Sequence, residues 1–218
     1  MSQYSIPRND SFILNYTEFS EQKWIIKLFS ERRYSVDKQV ASSRLINHWE
    51  KLNLLEDSRV EGKGWRKFTA TDLIWIHLIL ELRNFGFSNE KILQVKKNLC
   101  SNSLNKETPS IENNLLLQYY MGCALGGKDI YVLIFENCAI DFATIQQIVN
   151  FSSYGFIDNH LSINFSNIFK KVFPKLSEKI TSSKTNLLEL KDSEMKLLMY
   201  LVDPYKAHFI SGFQKVFM

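Results

Sequence analysis

The sequence has few of the residues that mark several large classes of protein. Its 218 residues include only three cysteines, four prolines and eight glycines. A disulfide scaffold, a proline-rich linker and a collagen-like repeat are therefore excluded. Its longest nearly apolar runs, 73–82 and 130–135, carry a charge or stop well short of the roughly 20 residues that a membrane-spanning helix needs. We therefore expect a globular protein with no membrane span.

The start of the chain and its composition agree with this expectation. The first ten residues, MSQYSIPRND, lack a basic stretch leading into an apolar one, which predicts that no secretory signal is present. Because cysteine is scarce as well, a reducing, cytoplasmic location is favoured. With 45% hydrophobic and 23% charged residues, the chain resembles an ordinary folded protein of one large domain or two small ones.

The positive charge of the chain is concentrated in one segment. The net charge is +4, and residues 32–67 alone carry nine basic against five acidic residues, whereas residues 101–218 carry 11 of each. A local basic excess is typical of a surface that meets phosphate groups, because each neutralised phosphate releases counterions. An ordinary solvated basic face is the alternative at this point.

The spacing of apolar residues predicts a helix, a turn and a second helix near the start of the chain. Residues 1–16 are polar and aperiodic, and we expect an N-terminal arm there. The first helix is predicted from Ser20 to about Arg32, and the second from about Val40 to Leu52. This order indicates a helix-turn-helix.

The residues after the second helix predict a wing and two more helices. Two glycines among charged residues in the segment 54–68 indicate a strand, a turn and a second strand. A strongly apolar helix follows, capped by Thr69 or Thr71 and ending at Gly86, and a shorter helix starts at Ser88.

The polar segment 101–110 is the predicted boundary between two domains, 17–104 and 111–218. All four tryptophans lie before residue 76, which supports this division. The predicted elements of the second half are a helix over 111–125, a buried strand over 130–135, a helix over 142–151, a strand over 160–165, a helical turn over 167–172 and a helix over 192–202. The predicted fold class is α+β, with an N-terminal winged helix-turn-helix domain followed by a mixed α/β C-terminal domain.

Three motifs of the first half resemble the winged-helix DNA-binding domain of the MerR family. The run 64–73, GWRKFTATDL, is similar to the family's Gly-Tyr-Arg-x-Tyr-Ser-x-x-Asp-Leu at the exit of the wing. The run 82–92, LRNFGFSNEKI, is similar to Leu-Arg-x-Leu-Gly-Phe-Ser-x-x-Glu-Ile, and the run 46–55, INHWEKLNLL, to Leu-Arg-Tyr-Tyr-Glu-x-x-Gly-Leu-Leu. The resemblance covers the N-terminal half only. It implies a transcriptional regulator that binds double-stranded DNA as a homodimer.

The candidate DNA-binding residues lie on the second helix and in the wing. The second helix of a helix-turn-helix enters the major groove, where its exposed polar side chains reach base edges. Basic residues of the wing are expected on the phosphate backbone, which positions the domain. The candidates on the helix are Ser42, Ser43, Arg44, Asn47 and His48, and those in the wing are Arg59, Lys63, Arg66 and Lys67.

Two details refine this list of candidates. The resemblance assigns Arg66 a contact with the DNA backbone. The family usually has arginine where this chain has Asn47 and an aromatic residue where it has His48, so one phosphate contact of the family is expected to be missing. Leu45, Ile46 and Trp49 are expected to turn inward.

The second half, 111–218, is expected to bind a small-molecule effector or a protein partner, or to assemble the dimer. Cys123 and Cys138 lack the paired spacing of a metal site, so we expect buried thiols, no metal and no cofactor. A catalytic set of His160, Asp158 and Cys138 can be drawn, but no nucleophile elbow or phosphate loop accompanies it, and no enzyme is expected. The remaining aromatic group lines either a small-molecule pocket or an ordinary core, and consists of Tyr119, Tyr120, Phe151, Tyr154 and Phe156.

Two functions stay open on the sequence alone. The first is a sequence-specific DNA-binding regulator. The alternative is a winged-helix module for protein interaction or DNA architecture, of the kind found in mobile elements or phages, without promoter regulation of its own. A salt titration separates the two, because binding dominated by phosphate contacts weakens steeply as salt rises.

Overall fold

The computed structural model describes residues 10–57, 59, 64–101, 110–154 and 159–174. This described part contains eight helices and one three-stranded antiparallel sheet, which confirms the α+β class. The elements in chain order are α1 (Asp10–Glu21), α2 (Lys23–Ser30), α3 (Ser43–Lys51), α4 (Ala70–Asn84), α5 (Asn89–Ser101), α6 (Leu115–Leu125), β1 (Ile130–Phe135), β2 (Ile140–Thr144), α7 (Ile145–Ser153), β3 (His160–Asn164) and α8 (Phe165–Val172).

The start and end of α4 follow from local sequence signals. The Thr69 hydroxyl accepts from the backbone N–H of Asp72 at 2.9 Å, and the Asp72 carboxylate accepts from the backbone N–H of Thr69 at 2.9 Å. This reciprocal pair satisfies two N–H groups that the first turn of a helix leaves without partners. Gly86 follows the helix with a φ of +83°, a conformation that favours glycine. The predicted cap at Thr69 and the predicted stop at Gly86 are confirmed.

The core is centred on α4 and α6. Trp75 of α4 is fully buried, and its indole N–H donates to the carbonyl of Leu54 at 2.8 Å. All residues of α6 from Leu116 to Leu125 are buried. Burial on every side explains why this helix is apolar all round.

The N-terminal arm expected over residues 1–16 is wrong for residues 10–16, which belong to α1. Phe12, Tyr16 and Phe19 recur at helical spacing, and α1 lays them against Tyr119 of α6, with ring centroids 5.4, 5.6 and 5.5 Å apart. The expected helix from Ser20 also begins later, because α1 runs to Glu21 and α2 starts at Lys23. The apolar spacing of this helix is hard to recognise in the sequence, because polar residues separate its aromatic residues.

The core continues across the predicted domain boundary at 101–110, and the division into two domains stays a prediction. One hydrophobic cluster runs from Tyr16 to Phe169 and includes residues from both sides of the boundary. The Gln118 side chain donates to the Ser30 hydroxyl at 2.9 Å, and the Asn114 side chain donates to the carbonyl of Leu99 at 3.0 Å. A polar segment indicates exposure to solvent, but it does not require that the core ends there.

The sheet has the order β2-β1-β3, with β1 paired to both neighbours through Val132, which lies opposite Phe142 and Ile163. The strands predicted at 130 and 160 and the helical turn at 167 are confirmed. The helix predicted over 142–151 is wrong for its first three residues, which belong to β2, and right for α7. The helix predicted over 192–202 lies outside the described residues.

Candidate nucleic-acid interface

Helix α3 presents one buried and one exposed face. Ile46 and Trp49 are buried, and Leu45 is half-buried against the same core. The exposed residues at this helix are Ser42, Ser43, Arg44, Asn47, His48 and Lys51. All five helix candidates therefore lie on the solvent side, and the three inward residues lie on the core side.

Lys51 was missed as a candidate, although its spacing could have revealed it. Arg44, Asn47, His48 and Lys51 follow one another at intervals of three, one and three residues, which places them on one stripe of the helix. Arg44 and Lys51 make no hydrogen bond or ion pair with the residues that the structure describes, so this stripe offers two positive side chains to a ligand.

Both ends of α3 are fixed by side chains. At the start, the Ser42 hydroxyl accepts from the backbone N–H of Leu45 at 3.3 Å. Beyond the end, Asn53 has a φ of +58°, and its carbonyl accepts from the Lys96 ammonium of α5 at 2.9 Å. Lys96 thereby holds the turn that leaves α3.

The connection between α2 and α3 is longer than in a compact helix-turn-helix. It runs over residues 31–42, where roughly three or four residues suffice in the compact motif. Part of it is held by Phe68, which pairs with Tyr34 through backbone hydrogen bonds of 2.9 and 3.0 Å. The connection is thereby joined to the chain segment that enters α4.

The predicted wing is described only in part. Residues 58 and 60–63 lie outside the described residues, and with them the candidate Lys63 and the glycine turn. The described residues 54–57 and 64–67 form no strand with each other, and Phe68 pairs with Tyr34 instead. The two-stranded wing stays a prediction.

Arg66 is held against α3 by two side chains. Its Nε donates to Glu50 Oε1 at 2.7 Å, and its Nη2 donates to Glu50 Oε2 at 2.7 Å and to Asn47 Oδ1. A guanidinium only donates hydrogen bonds, so the Asn47 oxygen must face Arg66 and the amide N–H₂ group lies on the other side. The two N–H groups of Nη1 have no partner among the described residues.

Arg59 is paired with an acidic neighbour. Its Nε and Nη2 donate to the two carboxylate oxygens of Asp57 at 2.8 and 2.7 Å, and its Nη2 lies 3.7 Å from Glu50 Oε2. Hydrogen bonds from Arg59 lower the pKa of Asp57 to about 2. Glu50, Asp57, Arg59 and Arg66 form a cluster, the charge cluster, whose formal charges cancel. The positive charge that the described residues leave without a partner at this surface therefore comes from Arg44 and Lys51 of α3.

The described residues of the second half bring no candidate metal site together. All three cysteines are buried, burial raises the pKa of Cys100 and Cys123, and the described residues contain no group of three metal-ligating side chains. Of the drawn catalytic set, Asp158 lies outside the described residues, while His160 packs against the ring of Phe135.

The aromatic group does not line one pocket. Tyr119 and Tyr120 are core residues between α1 and the sheet, Phe151 packs on the opposite face of the sheet, and Tyr154 is 73% exposed. Phe156 lies outside the described residues. The ordinary-core interpretation holds for the two α6 tyrosines.

No helix in the described residues combines the length and the apolar character that crossing a bilayer would require.

No curated protein and no solved structure matches the chain. Residues 41–99 match the family model described as MerR HTH family regulatory protein. The match spans α3, α4 and nearly all of α5, a little over a quarter of the chain, and contains the three motifs that resemble the family. The N-terminal half of this chain therefore carries a MerR-type helix-turn-helix region.

Proposed function

We propose that this protein is a sequence-specific, DNA-binding transcription regulator that reads the major groove with α3. The observation that carries the proposal is the exposed polar stripe of α3, backed by Ile46 and Trp49 in the core. A helix fixed in this way offers its hydrogen-bonding groups to base edges without losing its own packing. The match of residues 41–99 to a family of regulators supports the same function.

Each part of the surface has a proposed role. Ser42, Ser43, Asn47 and His48 contact bases or nearby phosphates. Arg44 and Lys51 supply charge at the two ends of the stripe. In the wing, the unpartnered Nη1 of Arg66 donates to a phosphate, with the other three wing candidates beside it, namely Arg59, Lys63 and Lys67.

We propose that the protein acts as a homodimer, because one short helix contacts too few base pairs for useful specificity. Helix α6 is buried along nearly its whole length and leaves no face for a dimer seam. The two-fold contact is therefore made by other parts of the chain. The C-terminal half is proposed to receive an effector or protein partner, and its hairpin turn is tied to α5 by the Asn98 side chain, which donates to the carbonyl of Cys138 at 2.8 Å.

The test is a salt titration with a matched pair of variants. Binding to a labelled duplex pool of random sequence is measured by fluorescence anisotropy at several salt concentrations. Arg44→Ala removes a cation of the α3 stripe, and Lys170→Ala removes an exposed cation of α8. Loss of one phosphate contact makes the slope of log K against log salt shallower by about 0.9. We expect this change for Arg44→Ala and none for Lys170→Ala.

Selection of bound sequences from the same pool then tests specificity. Enrichment of one motif, lost when Asn47 is replaced by alanine, supports base reading by α3. Negligible affinity of the native chain at low salt refutes the regulator and favours the protein-interaction module. If Arg44→Ala and Lys170→Ala change the salt slope equally, the proposed DNA contact of α3 is refuted.

A further inference from the structure

Among the tryptophan side chains that the structure describes, one is almost completely exposed. Trp65 is 94% exposed, whereas Trp49 and Trp75 are 2% and 0% exposed. An indole is the largest apolar side chain and is seldom left in water without a purpose, and tryptophan is enriched among the residues that dominate binding interfaces. Because the core does not use Trp65, its position calls for a ligand.

The two neighbours of Trp65 in the chain differ in how they are placed. Gly64 precedes it with a φ of +93°, in open space, so the backbone conformation and not crowding requires glycine there. Arg66 follows it and is hydrogen-bonded to Glu50 and Asn47 of α3. Trp65 is therefore joined directly to a residue that is hydrogen-bonded to α3.

The charges around Trp65 favour a polyanion over an acidic or neutral protein surface. Among the described residues, the acids that contact Arg66 or its partners, Glu50 and Asp57, are both paired with arginines. Lys67 is exposed two residues on, and Arg44 and Lys51 lie on the neighbouring helix without partners among the described residues. An aromatic ring among cations combines stacking on bases with attraction to phosphates, which is the pairing that nucleic-acid surfaces use.

We propose that Trp65 is an apolar wedge that packs its indole against the bases of the minor groove, next to the major groove that α3 contacts. This inference rests on the proposed function, and it adds a contact to which neither the resemblance nor the family match assigns a role. A wedge of this kind partly unstacks a base step and bends the duplex. Trp65 would thus favour sites that contain a flexible pyrimidine–purine step at that position.

The chain offers a direct optical test. Trp49 and Trp75 are buried and shielded from added duplex DNA, and the difference in fluorescence quenching between the native chain and Trp65→Phe isolates the signal of Trp65. Titration with the random duplex pool is expected to quench native emission, and Trp65→Phe is expected to remove that quenching while keeping part of the affinity. Trp65→Ala is expected to lower the affinity about tenfold. Its salt slope should stay unchanged, since no charge is lost.

Tyr154→Ala is the matched control, because this aromatic residue is 73% exposed and lies in the other half of the chain. It should leave affinity and quenching unchanged. Thermal unfolding of Trp65→Ala should match the native chain, because the indole has almost no internal contacts to lose. A native chain that binds DNA without quenching, together with native affinity of Trp65→Ala, overturns the wedge and leaves the regulator intact. Failure of the native chain to bind DNA overturns both.

Discussion

The charge cluster allows a prediction in which stability and DNA binding respond in different ways. The perturbation is the removal of either partner of the Glu50–Arg66 pair. Glu50 is 11% exposed at its side chain, and the two hydrogen bonds that it receives from Arg66 are 2.7 Å long. Exposed ion pairs contribute about 0–1 kcal/mol and the loss of one partner of a fully buried pair costs about 3–5 kcal/mol. We therefore expect Arg66→Ala to lower the free energy of unfolding by about 2 kcal/mol.

The reverse variant should cost less. In Glu50→Ala the guanidinium of Arg66 keeps a long flexible stem and can turn toward water, whereas in Arg66→Ala the shorter side chain of Glu50, 11% exposed, keeps only the 3.7 Å contact with Arg59. The double variant should be more stable than Arg66→Ala, with a coupling energy of about 1–2 kcal/mol in a double-mutant cycle. Chemical denaturation of the four proteins measures this energy.

The same variants should separate the two roles of Arg66 at DNA. Glu50→Ala frees the guanidinium from its carboxylate and removes one negative charge beside the DNA, so its salt slope should steepen, by at most about 0.9. Glu136→Ala removes an exposed carboxylate at the β1–β2 turn and serves as the control. Arg66→Lys keeps the charge but cannot chelate both oxygens of Glu50, so it should show most of the stability loss. A coupling energy below about 0.3 kcal/mol would refute the cluster, and a shallower slope in Glu50→Ala would refute its neutralising effect on Arg66.

Three further predictions concern groups away from the stripe. Burial lowers the pKa of His77 below its ordinary 6.5, so its contribution to stability is fully present above pH 6.5 and is lost as pH falls through the lowered pKa. In His77→Gln the denaturation midpoint should therefore fall less than in the native chain between pH 7.5 and pH 5. Burial raises the pKa of Cys100 and Cys123, so alkylation at pH 8 should be slow in the folded chain and fast in denaturant, and rapid labelling of the native state would contradict their placement. Lys96→Met removes the donor to the carbonyl of Asn53 and should cost about 1.5–3 kcal/mol and weaken DNA binding, whereas the exposed neighbour Lys97→Met should do neither.

Much of the fold around α3 could be predicted from the sequence because short-range chemistry decides it. The cap at Thr69, the stop at Gly86 and the inward positions Ile46 and Trp49 depend on residues within one or two turns. The strand at 130–135 is set by a continuous run of β-branched and aromatic residues. Such signals are visible without any knowledge of the partners across the core.

The errors arose where distant residues decide. The aromatic residues of α1 become helical core only because Tyr119 stands opposite, some hundred residues away. The pairing of Arg66 with Glu50 joins residues 16 apart, and no local pattern announces that the strongest candidate for a phosphate contact already has a carboxylate partner. The exposure of Trp65 is also not visible in the sequence, because no local pattern separates it from the other three tryptophans of the first 75 residues.

The core that crosses residues 101–110 predicts how a fragment ending after α5 will behave. Cutting the chain after α5 would remove Tyr119 from the ring of Phe19, Gln118 from the Ser30 hydroxyl and Glu112 from Arg32. Such a fragment is expected to aggregate or unfold, and to lose the proposed DNA binding. The side chains on both sides of residues 101–110 therefore complete one another's burial, and we expect them to unfold together.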